Sequence, residues 1–250
     1  MALPIANLEE IRLQKGEKEC IEIFRKTAKQ NRFRAVQLIN TPQMTYPCLF
    51  ILIPSIREHR LQQQIWTKYA VAMEITRQIL EEEYQPKKDY LKGRGDLSHQ
   101  ALLWMITTSY QEEYPGEAFQ KVQDIVISVL IQLHHDNTVL EKTARLIFER
   151  RKRGQNVHEL IWAYFKSNDP QALKWIAEQL PKADSSEAEF ICDLLGIEHT
   201  DKIDTQNEYQ KYMSWWENHK NNLTFSDENK QYTSRPIVCS MTQGREERAL

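Results

Sequence analysis

Apolar residues recur at three- and four-residue spacing over most of the chain, and polar start and stop signals separate the runs. The spacing predicts a long helix over 55–84, with Ile65, Tyr69, Met73 and Leu80 on one face and Ser55-Ile-Arg-Glu58 as its capping box. A second helix is predicted over 97–113, behind Asp96. A third, over 117–134, is the most apolar of all, as a buried helix should be. Its β-branched residues leave a buried strand as the competing reading. Shorter helices are predicted over 138–152, 156–167, 169–180, 185–195 and 205–220. Thr138-Val-Leu-Glu141 and Thr205-Gln-Asn-Glu208 repeat the capping box, and Asn156–Glu159 and Asp184–Glu187 are variants of it. Asp169-Pro170 places a cap before a proline at the first helical position. Gly154, Pro181 and Gly196 supply the stops. The links are a few residues long, so neighbouring helices should pack antiparallel.

Residues 10–53 fit two patterns. Ile11-Arg-Leu13 and Cys20-Ile-Glu-Ile23 alternate as short strands of a hairpin would, and the same stretch reads as two short helices. Phe33–Ile39 and Cys48–Ile53 share the ambiguity. Helix is preferred because the rest of the chain is helical. From Asn221 onward no period survives. Residues 221–250 are therefore expected as an extended tail, free or folded back through Phe225, Tyr232 and Ile237. The fold expected is mainly α, an array of antiparallel helices forming a single domain over 1–220, with a sub-boundary near 86–96.

Glu159–Phe165, Asp169–Leu180 and Ala188–Leu195 form a string of short amphipathic helices. The step Asn168-Asp-Pro170 followed by an apolar helix resembles the turn of HEAT-like α-helical repeats, and the resemblance spans about 138–220. It implies a surface built to bind another macromolecule. Helix starts at 138, 156, 169, 184 and 205 are unevenly spaced. An irregular bundle therefore stays open beside an irregular solenoid.

Composition narrows the chemistry. Only 7 of 250 residues are glycine, and none cluster as a dinucleotide fingerprint, a P-loop or a nucleophile elbow requires. The formal charge of -2 gives no global basic excess for duplex binding. Cys20, Cys48, Cys192 and Cys239 are dispersed, with no C-x-x-C pair, as in ordinary cytosolic chains. No apolar run exceeds six residues, Cys48–Ile53 being one, whereas a membrane helix needs about 20. A cytoplasmic protein with no membrane contact is expected.

The candidate groups carry little catalytic signal. His134-His135-Asp136 is the one histidine cluster, and adjacent helical residues diverge by about 100°, too far to share a metal easily. Glu81–Glu83 and Glu112-Glu113 lie at the ends of solvated helices. No E-x-x-H occurs. No catalytic residue, metal site or cofactor is assigned. Two basic stretches stand out. One is Arg145 with Arg150, Arg151, Lys152 and Arg153. The other, over 25–34, is Arg25, Lys26, Lys29, Arg32 and Arg34, with Phe24 and Phe33 interleaved. Each is read as a phosphate contact or, for 145–153, as a helix C-terminus complementing its dipole. Among six tryptophans, Trp66 and Trp104 fall on core-like faces. Trp162 falls on a flank, with His158 and Lys166 at helical spacing. Trp215 and Trp216 are adjacent and cannot point the same way, so at least one of these should be partly exposed, as binding hot spots often are. The expected function is a non-catalytic protein–protein interaction or assembly protein, binding another protein or itself through Trp162, Trp215, Trp216, Phe225 and Tyr232. The alternative is a nucleic-acid-associated protein using 25–34 and 145–153.

Overall fold

The structure, a computed structural model, describes residues 7–81, 95–110, 116–199, 202–225 and 239–241. The chain divides into two compact units between Leu130 and Ile131. Among the described residues it is mainly α, with twelve α-helices. No helix among them is long and apolar enough to cross a membrane.

The first unit holds α1 (Leu8–Lys15), α2 (Glu17–Gln30), α3 (Arg32–Ile39), α4 (Tyr46–Glu58), α5 (Thr67–Leu80), α6 (Gly95–Thr107) and most of α7 (Glu117–Gln132). Residues 10–53 are thus helical, and the strand alternative for them is corrected. Buried positions decide the matter. Cys20, Phe24 and Ala28 are buried on α2 at a four-residue step, while Leu13, which alternation would have turned inward, is exposed. Asn7, Asn31 and Thr45 cap α1, α3 and α4 through their side chains. Gly16, at φ +89°, makes the reversal from α1 to α2 without a Cβ penalty. α2 packs on α1, α3 and α4, and α4 packs on α5 and α6.

The predicted helix over 55–84 is broken. Ser55 is no cap: it lies late in α4, buried, and accepts a hydrogen bond from Arg25 Nε at 2.9 Å. α4 ends at Glu58 and the chain reverses through Arg60 at φ +52°. Asn40 then ties the loop down, donating to the Gln64 carbonyl at 2.9 Å and accepting from the Trp66 amide at 2.7 Å, just before α5. Trp66 is consequently 43% exposed, against its expected core position. Leu80 is also exposed, while Ile65, Tyr69 and Met73 are buried. α6 stops at Thr107, short of the predicted 113.

The second unit holds a 3-10 turn (Asn137–Val139), α8 (Leu140–Lys152), α9 (His158–Phe165), α10 (Pro170–Ala177), a 3-10 turn (Leu180–Lys182), α11 (Ser185–Leu195) and α12 (Thr205–His219). Strands β1 (Leu223–Phe225) and β2 (Cys239–Met241) pair antiparallel, Leu223 opposite Met241. The predicted tail from 221 therefore includes a short ladder. Aspartate caps dominate here: Asp136, Asp169, Asp184 and Asp204 each accept a backbone N–H at a helix or turn start. Two of them displace the threonines expected to cap, Thr138 and Thr205, because a short carboxylate at a helix N-terminus gains both a hydrogen bond and the dipole. Asp184 and Glu187 complete a reciprocal capping box. Gly154 and Gly196 take left-handed backbone at the ends of α8 and α11. α8 packs on α9 and on α10, and α10 packs in turn on α11 and on α12. Ile147, Leu160, Tyr164, Ile176, Leu180, Ile191 and Trp216 are among its buried residues. The Tyr164 hydroxyl donates to the Ala172 carbonyl at 2.8 Å, tying α9 to α10.

Candidate functional site

α12 is an aromatic helix with a narrow buried stripe. Of its fifteen residues only Tyr212 and Trp216, one turn apart, are buried. Trp216 is 2% exposed. Its indole Nε1–H donates to the Pro170 carbonyl at 2.9 Å, and the ammonium groups of Lys174 and Lys220 lie 5.7 and 4.8 Å from its ring. Trp216 is therefore a core residue, which corrects its candidacy as a contact for a partner.

Trp215, one residue earlier, points elsewhere and is half-buried. Its ring sits 5.3 Å from Tyr212 and 5.4 Å from His219, stacked on the imidazole at 25°. His219 Nδ1 donates to the Trp215 carbonyl at 2.6 Å, which holds the imidazole in place against the indole. Trp215 is thus contacted on two sides yet partly accessible. Trp162 is also half-buried, with His158 one turn earlier at 6.0 Å, as the helical spacing requires. Trp175 on α10 is half-buried too, with Lys174 Nζ 5.4 Å from its ring. Sequence reasoning gave Trp175 no binding role; its place beside the apolar stripe of α10 was the available signal. Phe225 ends β1, its backbone paired with Cys239. Tyr232 lies outside the described residues.

The two basic stretches behave differently. In 145–153, Arg145 pairs with Glu141, Arg151 lies 4.0 Å from the centre of the Phe190 ring, Lys152 reaches Glu187 at 3.2 Å and Arg153 reaches Glu149 at 3.9 Å. Arg150 is 1% exposed. It falls on the buried side of α8 with Thr143 and Ile147, so its membership of a solvent-facing patch is corrected. In 25–34, Arg25 is tied to Ser55 and Glu58, and Arg32 Nη2 donates to the Arg60 carbonyl at 3.2 Å. Lys26, Lys29 and Arg34 are exposed and make no ion pair among the described residues.

A buried polar group lies between α1, α2 and α4. The Cys20 thiol donates to the Leu8 carbonyl at 3.4 Å, and Cys48 is buried beside it. The neighbouring Cys48 thiol, with help from Arg12, holds Cys20 below the ordinary thiol range; the Cys20 thiol and burial push Cys48 well above it. Glu9 pairs with Arg12 at 2.9 Å and accepts from Thr45 Oγ1 at 2.8 Å. Among the described residues no group of three or more His, Cys, Asp and Glu side chains is placed to hold a metal ion. Asp136 of the histidine cluster is a cap, and His135 sits at φ +51° in the turn beyond α7.

No protein-family model matches this chain, and comparison with curated proteins and with solved structures finds no match.

Proposed function

We propose that this chain is a non-catalytic binding protein whose second unit, an irregular HEAT-like helical array, presents the half-buried tryptophans of α12 and α9 to a partner protein or to a second copy. The observation that carries the reading is the split between neighbours on α12. Trp216 is locked into the core by Pro170, while Trp215 is held open between Tyr212 and His219. A large, pre-ordered aromatic ring costs little side-chain entropy when a partner covers it, which is why tryptophan dominates binding hot spots. The packing of α8 on α9 and α10, and of α10 on α11 and α12, supports the array-like part of the reading. The buried reduced thiols Cys20, Cys48 and Cys192 fit a cytoplasmic setting.

The test is co-purification of tagged protein from its source cells, with sedimentation to follow self-association. Trp215→Ala should lose the partner, or the larger oligomer, while thermal melting stays within about 2 °C of wild type. Unchanged recovery and unchanged oligomer size would refute the assignment.

A further inference from the structure

We propose that the elbow between α2 and α3 binds single-stranded nucleic acid. This surface belongs to the first unit and stands independently of the tryptophans on α9 and α12. Lys26 and Lys29 lie three residues apart on α2, so their side chains leave the same face roughly 5–6 Å from one another. One residue, Asn31, ends α2 and caps α3, which sets Arg32 and Arg34 immediately beyond the α2 C-terminus. The bond from Arg32 to the Arg60 carbonyl brings the reversal after α4 alongside them, and Arg60 is itself exposed.

No Asp or Glu occurs between Glu22 and Glu58 in the sequence, and Glu58 lies 3.9 Å from Arg25. Glu22 stands four residues before Lys26 on α2 without pairing with it, and Lys26, Lys29, Arg34 and Arg60 make no ion pair among the described residues, which leaves their charge to an incoming anion. A polyanion releases counterions as these cations meet its phosphates.

Phe33 identifies the kind of polyanion. It is 70% exposed, at the second position of α3 between Arg32 and Arg34. The exposed phenyl ring offers a stacking face for an unpaired base, and the cations of the elbow supply phosphate contacts for the same strand. A base inside a duplex has no free face for it. A lipid surface demands a wider apolar area than one ring, because interfacial binding scales with the apolar area buried. Of the other apolar residues on α3, Ala35, Leu38 and Ile39 are buried and Val36 is half-buried.

The experiment is fluorescence anisotropy of a labelled single-stranded oligouridylate of about 20 nucleotides, titrated with the full chain at low and moderate salt. Binding that weakens as salt rises is expected. Lys26→Glu/Lys29→Glu should weaken it at least tenfold and flatten the salt dependence. Phe33→Ala should weaken it by about 5- to 100-fold, and Phe33→Trp should restore it. These side chains are exposed, so far-ultraviolet circular dichroism of each variant should match wild type. Arg145→Glu, on a cation already paired, serves as the control and should leave affinity unchanged. The proposal fails if no oligonucleotide binds at low salt, or if Arg145→Glu weakens binding as much as the α2 pair does. It fails equally if phosphatidylserine vesicles or a poly-glutamate peptide bind more tightly than the oligonucleotide.

Discussion

Residues 25–34 and 145–153 each carry five Lys and Arg residues, yet the fold treats them in opposite ways. On α8 the charges are absorbed. Glu141 and Glu149 stand four residues before Arg145 and Arg153, Glu187 reaches Lys152 from α11, Phe190 takes Arg151, and Arg150 is buried. On the α2–α3 elbow Lys26, Lys29 and Arg34 make no ion pair among the described residues, although Glu22 stands four residues before Lys26, and Phe33 on α3 is exposed. The density of basic residues does not distinguish a binding surface from a satisfied helix end. What separates the two stretches is whether the cations meet an acid or a ring in the fold. Trp215 and Trp216 repeat the lesson on a smaller scale: the same residue type, adjacent in sequence, is structural in one case and available in the other.

Reversing charges breaks the comparison most forcefully. Arg150→Glu places an acid in a buried site made for a guanidinium, and urea denaturation should show a loss of about 3–5 kcal/mol. Lys29→Glu on the open elbow should stay within about 0.5 kcal/mol of wild type. Similar losses for both would erase the distinction between the two stretches. Next in size is Trp216→Phe, which strands the Pro170 carbonyl; a loss of about 1–3 kcal/mol is expected in the same assay.

A smaller effect should appear at alkaline pH in the second unit. Burial, with Glu208 and Asp193 nearby, pushes the Cys192 thiol from its ordinary 9.0 up to about 11. The folded state therefore holds this proton more tightly than the unfolded chain. The stabilisation is complete below about pH 9 and is lost as pH rises through about 11. Urea midpoints measured across that window should fall less steeply in Cys192→Ala than in wild type. An equal slope would show that Cys192 is not the group responsible. The smallest change sharpens the comparison directly: Glu141→Gln removes the partner of Arg145. It should cost only about 0.3–0.5 kcal/mol by urea denaturation.

Much of the second unit was legible because its signals are local. Asp184 and Glu187 announce α11, Asp169-Pro170 announces α10, and Gly196 stops α11, all within one turn of the residues they control. Arg150 could also have been placed, since it follows Thr143 and Ile147 at helical spacing. The break between α4 and α5 was not legible, because Asn40, far back in the chain, holds Gln64 and Trp66. Ser55 looked like a cap until Arg25 from α2 claimed its hydroxyl. The divergence of Trp215 and Trp216 follows from helix geometry alone. Which of them is buried depends on the Pro170 carbonyl, 46 residues away, and no local pattern carries that.

The most direct measurement sets these two neighbours against each other. Tagged wild type, Trp215→Ala and Trp216→Phe are carried through the same co-purification and the same urea titration. Partner recovery should collapse for Trp215→Ala with stability nearly unchanged, while Trp216→Phe should lose stability and, below its unfolding midpoint, keep the partner. Loss of both properties together in Trp215→Ala, or full partner recovery with it, would contradict the account.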